Sequence, residues 1–183
     1  MSRVCVLLAP GFEEIEAITI VDVLRRAGVE VEVLGVEDRR VVGAHAIAVE
    51  ADARLAERAG EAWDMVVLPG GMPGSKHLRD SAAVQTLLKE QHARGGRLAA
   101  ICAAPIALSA AGVLAGRRAT SYPAFAAELA CASYETAPVV VDGPIVTSRG
   151  PATALAFALR LVTELAGAET ARSLSQAMLV PAD

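Results

Sequence analysis

Cys102 stands where a short apolar run, Leu98-Ala99-Ala100-Ile101, meets Ala103-Ala104-Pro105 and a further apolar stretch from Ile106 to Leu114. This pattern predicts a buried strand, a tight turn and a helix. A thiol in that turn faces the N-terminal end of the helix, where free N–H groups and the positive end of the helix dipole favour a thiolate. The small Ala103 and Ala104 let the backbone turn sharply, as in a nucleophile elbow with cysteine in place of serine. A free cysteine also serves simply as a small buried apolar side chain, so the turn alone does not assign reactivity.

Three other loops follow apolar runs in the same sense, and they carry Glu16, Gly70-Gly71 and Arg149-Gly150. If all four leave the same edge of one sheet, a thiol, a carboxyl group and glycine amides share a crevice. That grouping has a specific chemistry. A thiolate adds to an electrophilic carbon such as that of an aldehyde, and the N–H groups of Gly71 and Ala103 stabilise the resulting oxyanion. A carboxyl beside a thiolate resists carrying a second negative charge, so Glu16 is expected to be protonated, to donate to sulfur, and to act in turn as general acid and base. The same geometry stabilises an oxidised sulfur, which makes sulfinate formation at Cys102 the competing chemistry. Each part also has an ordinary explanation. Glutamates in a first helical turn are dipole partners, and Gly-Gly after a strand is a common tight turn.

The elements that must position these groups can be read in order. Arg3 to Ala9 is a nearly continuous apolar run, as expected for a central parallel strand, with Cys5 inside it. A helix opens at Glu13-Glu14-Ile15-Glu16, runs to about Ala27 and stops at Gly28. Val29 to Val36 alternates as a half-exposed strand, and Asp38–Gly43 with Ala46–Val49 suggests a small hairpin. Ala53 to Ala59 reads as a short helix and Asp64 to Leu68 as a buried strand ended by Pro69-Gly70-Gly71. A loop through Met72-Pro73-Gly74-Ser75 precedes a helix over Ala82–Ala93. Arg97 to Ile101 leads into Cys102. Arg118–Ser121 reads as a strand, Ala124–Ala130 as a short helix, and Val139 to Thr147 as a hairpin about Asp142-Gly143. Helices follow over Ala152–Ala166 and Glu169–Ala177. Strands alternating with helices predict one α/β domain over residues 1–183, with a mostly parallel sheet and helices on both faces.

The composition narrows the partners. The chain has 183 residues, is 54% hydrophobic and carries a formal net charge of −4, with no basic block, so specific nucleic-acid binding is not expected. No apolar run is long enough to span a membrane, and the first residues pass directly into a strand pattern, so a cytoplasmic protein is expected. Cys5, Cys102 and Cys131 have no metal-ligand spacing, and His45, His77 and His92 are scattered, so neither a metal nor another cofactor is expected. None of the histidines follows Cys102 as a protease dyad would suggest.

Four segments together resemble the ThiJ/PfpI superfamily: Ala9-Pro10-Gly11-Phe12-Glu13-Glu14-Ile15-Glu16, Val67-Leu68-Pro69-Gly70-Gly71, Ala99-Ala100-Ile101-Cys102-Ala103-Ala104-Pro105 and Thr147-Ser148-Arg149-Gly150-Pro151. They are most similar to the branch that contains the Parkinson-disease-associated deglycase and bacterial YajL. The resemblance implies a flavodoxin-like three-layer sandwich and a homodimer whose contact includes Ile15, Asp22 and Arg26. Without it, Asp22 and Arg26 read as an ordinary i,i+4 surface ion pair. The resemblance also places an oxidation-prone nucleophile at Cys102, its protonated partner at Glu16, and backbone donors at Gly70, Gly71 and Ala103. Tyr122, Arg149 and Gly150 would surround them.

There are departures from the family pattern. Relatives with protease or strong glyoxalase activity carry histidine directly after the nucleophile, where Ala103 stands here. Several deglycase-branch members carry histidine where Tyr122 precedes Pro123, although YajL-type members also lack it. A cysteine near the family's dimer interface corresponds to Glu50. The combined reading is a cysteine-dependent deglycase or glutathione-independent glyoxalase, whose partners are small aldehydes or glycated proteins and nucleotides. The alternatives are a redox-responsive chaperone or stress sensor acting through Cys102 oxidation, and an amidase- or peptidase-like hydrolase.

Overall fold

The computed structural model describes residues 2–181. In chain order its elements are β1 (Arg3–Leu8), α1 (Glu14–Arg26), β2 (Glu30–Gly35), β3 (Arg40–Val42), β4 (Ala48–Glu50), β5 (Ala53–Arg54), β6 (Met65–Leu68), α2 (Gly74–Asp80), α3 (Ala82–Ala93), β7 (Arg97–Ile101) and α4 (Pro105–Ala110). They continue with β8 (Arg118–Ala119), β9 (Ser133–Tyr134), β10 (Val139–Asp142), β11 (Ile145–Ser148), α5 (Ala154–Ala166) and α6 (Ala168–Ala177). The main sheet has the order β10-β11-β7-β6-β1-β2-β5. All its neighbours pair in parallel except β10, which joins β11 as an antiparallel edge hairpin.

The near-continuous apolar strands follow from burial on both faces. In β1, Val4, Val6 and Leu8 point into a core shared with Ile20 and Leu24 of α1 and Phe157 and Leu161 of α5. The alternate residues Cys5 and Leu7, with Ala9 just beyond, point into a second core with Val84 and Leu88 of α3 and Leu108 of α4. A period of two thus feeds two apolar layers, and polar alternation disappears. Each fully buried leucine or phenylalanine stabilises the fold by roughly 1.5–3 kcal/mol. The result is a flavodoxin-like α/β sandwich. Cys5 belongs to the core, and burial pushes its thiol far above the ordinary range.

Because β1, β6, β7 and β11 run in the same direction, the loops after all four emerge at one edge. Several local expectations are corrected. The Met72–Ser75 loop is short and passes into α2 at Gly74, a helix whose weak formers and single buried leucine, Leu78, hid it in the sequence. Ala53–Ala59 is not one helix: Ala53–Arg54 pairs with β2, and Leu55–Arg58 is a 3₁₀ turn. The helix after Cys102 ends at Ala110 rather than Leu114, next to Gly112 at φ +76°. Ala124–Ala130 is a 3₁₀ segment spanning Pro123–Glu128, and α5 starts at Ala154 after a 3₁₀ turn at Pro151–Thr153. Among the described residues, no helix is long and apolar enough to cross a membrane.

Candidate active site

Cys102 follows β7 directly, with φ at +63°. A non-glycine residue in that left-handed region costs on the order of 1–3 kcal/mol unless its surroundings fix it. Here three backbone bonds do so. Cys102 N–H donates to Ser148 C=O at 3.0 Å, Tyr122 N–H donates to Cys102 C=O at 2.8 Å, and Ala104 N–H donates to Ile101 C=O at 3.0 Å. The elbow is therefore tied to β11 on one side and to the Tyr122 segment on the other.

Glu16 lies in the first turn of α1 and is fully buried. Gly70 N–H donates to its Oε2 at 2.7 Å, while Oε1 has no hydrogen-bond partner among the described residues. A Cβ built on Gly70 would lie 2.6 Å from both Glu16 Oε2 and Cys102 Cβ, so the carboxyl and the cysteine share a space that the absence of a side chain at Gly70 keeps open. Gly71 at φ +93° passes as closely beneath the α1 entry, where a Cβ would meet Glu13 N at 2.3 Å. The Glu13 N–H bond to Gly70 C=O, at 2.8 Å, locks the two loops together.

The electrostatics differ in part from the expectation for the thiol. Burial pushes Glu16 up to about 7, against the Gly70 N–H and the Cys102 contact, which lower it. Burial also pushes the Cys102 thiol up to about 12, with the nearby Glu16 adding to the rise, while the N–H groups of Ala103 and Gly71 pull it down. The backbone donors act as the sequence suggested, but they lose to burial and to the neighbouring acid. The helix end adds little, because α4 has six residues and opens on Pro105, which has no N–H. Glu16 is therefore the group that ionises first, and above neutral pH the remaining proton lies on the sulfur, the reverse of a protonated Glu16 beside a thiolate.

The remaining sequence candidates fall as follows. Gly71 and Ala103 direct their N–H groups to the sulfur, whereas the Gly70 N–H is committed to Glu16 and is not free for a substrate oxyanion. The Arg149 guanidinium donates to Thr136 C=O at 3.0 Å. Gly150 lies against the Tyr122 ring, and Tyr122 is 47% exposed. Ile15 is 58% exposed on α1, and Arg26 Nε donates to Asp22 at 2.7 Å as the i,i+4 pair.

One residue set escaped the sequence reading. Glu14 is buried, and its Oε1 accepts from His45 N–H at 2.7 Å and Ile47 N–H at 3.4 Å, while its Oε2 meets His45 Nδ1 at 2.9 Å. Glu13, Glu14 and His45 bring three metal-competent ligand atoms within 4.8 Å of one another. The backbone and imidazole bonds already satisfy Glu14, which makes the cluster a clamp for the β3–β4 loop over the entry to α1. The sequence separation of 31 between Glu14 and His45 left no local pattern to find.

The geometry defines a class: flavodoxin-like α/β proteins with a cysteine elbow at the carboxyl edge of the sheet. Within it, the chain belongs to the DJ-1/PfpI family, whose family model matches residues 2–164. It is 43% identical to Protein dj-1beta of Drosophila melanogaster over 178 residues, 96% of this chain and 95% of that protein. It is 36% identical to Glutathione-independent glyoxalase DJR-1.2 of Caenorhabditis elegans over 172 residues, 92% of this chain and 91% of that one. The structure of oxidized DJ-1 from Toxoplasma gondii superposes with a TM-score of 0.95 at 39% identity, covering 98% of each chain. These relatives put the chain in the DJ-1 branch.

Proposed function

We propose that the protein is a glutathione-independent glyoxalase and deglycase of the carbonyl-stress type, acting on methylglyoxal, glyoxal and their early adducts on proteins and nucleotides. The observation that carries this reading is the single space at Gly70 shared by the Cys102 thiol and the buried Glu16 carboxyl. The relative named a glutathione-independent glyoxalase supports it.

The chemistry runs on this chain's own groups. The Glu16 carboxylate takes the Cys102 thiol proton as the sulfur adds to the aldehyde carbon of methylglyoxal, and then gives that proton to the new alkoxide. Glu16, now a carboxylate, takes the proton from that carbon and returns it to the neighbouring ketone carbon through an enediol. The product is a thioester of Cys102, which water hydrolyses to lactate and the free thiol. Gly71 and Ala103 N–H groups offset the negative charge that develops beside sulfur. With Ala103 following the cysteine, proton transfer falls to Glu16. The test is lactate formation from methylglyoxal without glutathione. Many equivalents of lactate per chain are expected, whereas aldehyde loss that stops at one equivalent per thiol, with no lactate, would overturn the reading.

A second reading has its own observation. Cys102 is partly exposed and faces two N–H donors, whereas Cys5 is fully buried. A sulfinate at Cys102 would be held by the same donors, as suits a redox-responsive chaperone in a reducing cytoplasm. At low peroxide, peptide mass spectrometry should find two added oxygens on Cys102 well before Cys5 or Cys131. Equal oxidation of the three would sink this reading.

Two exposed isoleucines on α1, Ile15 and Ile18, motivate a homodimer through that helix. Ile15→Glu is expected to shift sedimentation from dimer toward monomer, and an unchanged mass would remove α1 from the interface.

A further inference from the structure

We propose that the apolar pocket walled by Tyr122, Pro123 and the Gly150–Thr153 turn is the subsite for the substituent of an α-oxoaldehyde, and that it favours an aryl group over methyl. This rests on the glyoxalase reading above and names the substrate class within it.

The pocket has a volume of about 300 Å³, enough for a phenyl ring, and its walls are mostly carbon. Both walls hang from Cys102 itself. The Tyr122 side is fixed by the Tyr122 N–H bond to Cys102 C=O, and the Gly150 side by the Cys102 N–H bond to Ser148 C=O. The pocket's walls are therefore fixed to the backbone that carries the sulfur. The Tyr122 ring lies over Gly150, where even a built Cβ would come within 3.5 Å of its Cδ2, and it tilts at 57° against Phe125 with 6.5 Å between ring centres. Pro123 restricts the residue before it, and Tyr122 sits in the extended region at φ −59°, ψ 134°. An exposed aromatic ring held by its backbone in this way gives a flat apolar surface that loses little freedom on contact with a second ring. Arg149, the charged residue of the lining, bonds to Thr136 C=O, so nothing here calls for an anionic substituent.

The test compares kcat/KM for phenylglyoxal and methylglyoxal in the unmodified protein, Tyr122→Ala and Tyr122→Phe. The ratio between variants cancels the intrinsic reactivities of the two aldehydes. Loss of the ring's contact should lower the phenylglyoxal-to-methylglyoxal ratio about tenfold in Tyr122→Ala, chiefly through KM, and Tyr122→Phe should restore it. A merely structural Tyr122 would depress both substrates together, and an unchanged ratio in Tyr122→Ala overturns the subsite. If neither aldehyde is turned over, the glyoxalase reading has failed, and the subsite is judged by alkylation instead. Displacement of bromide from phenacyl bromide and from bromoacetone is then timed at the Cys102 peptide. Tyr122→Ala should slow the phenacyl reaction selectively, and equal slowing of both overturns the subsite.

Discussion

Cys102→Ser brings lactate formation from methylglyoxal down to the level of buffer alone, a loss of at least about 10³-fold, because the serine hydroxyl is far weaker as a nucleophile and has no histidine beside it to act as base. The fold should survive the change. The cysteine's place in the elbow is set by its backbone bonds to Ser148 and Tyr122 and by the Ala104–Ile101 bond around it, and serine keeps the same N–H and C=O groups. A melting temperature close to that of the unmodified protein, measured alongside, separates lost chemistry from lost structure. Lactate produced by Cys102→Ser at the unmodified rate would end the enzymatic account, since neither Cys5 in the core nor Cys131 adjoins Glu16.

Glu16→Gln should lower kcat by about 10²–10⁴-fold, the usual contribution of a positioned proton carrier. Glutamine nearly matches the shape of the carboxyl, and its side-chain oxygen can keep the Gly70 N–H bond now made by Oε2. It cannot release a proton to the alkoxide or take one from carbon. The loss is therefore expected in kcat with KM little changed, measured with methylglyoxal at several concentrations. Oε1, fully buried and without a partner among the described residues, makes the charged form costly, in keeping with a carboxyl that burial raises to about 7. Turnover by Glu16→Gln within a factor of two of the unmodified protein would leave Glu16 a structural role only.

The sequence made the outline of the site legible because parallel α/β sheets send successive strand-end loops to one edge. Apolar runs ending at Gly11, Gly70-Gly71, Cys102 and Arg149-Gly150 were enough to group the loops, and β1, β6, β7 and β11 do run in parallel. The acidity of the thiol was less legible. A helix start after Cys102 suggested a low value, but burial and the distance to Glu16 are tertiary properties, and they push it up to about 12. The destination of the Gly70 N–H depended in the same way on a side chain 54 residues distant. The Glu14–His45 clamp left no trace either, because a glutamate in a first helical turn already has a sufficient local explanation. α2 was missed for the opposite reason: Gly74-Ser75-Lys76-His77 lacks apolar periodicity, and the helix is held by its docking, with Leu78 buried against the second core.

The central claim is that Glu16 is coupled to Cys102 and governs when the thiol gives up its proton. The most direct test is the rate of iodoacetamide alkylation at Cys102 as a function of pH, read at the Cys102 peptide in the unmodified protein and in Glu16→Gln. Burial and the Glu16 carboxylate push the thiol up to about 12, so in the unmodified protein the alkylation rate should still be rising well above the ordinary thiol value of about 8.5. Glu16→Gln removes the carboxylate and should shift the rise to lower pH. A single rise at the ordinary thiol value, identical in the two proteins, would contradict that coupling and with it the mechanism built on it.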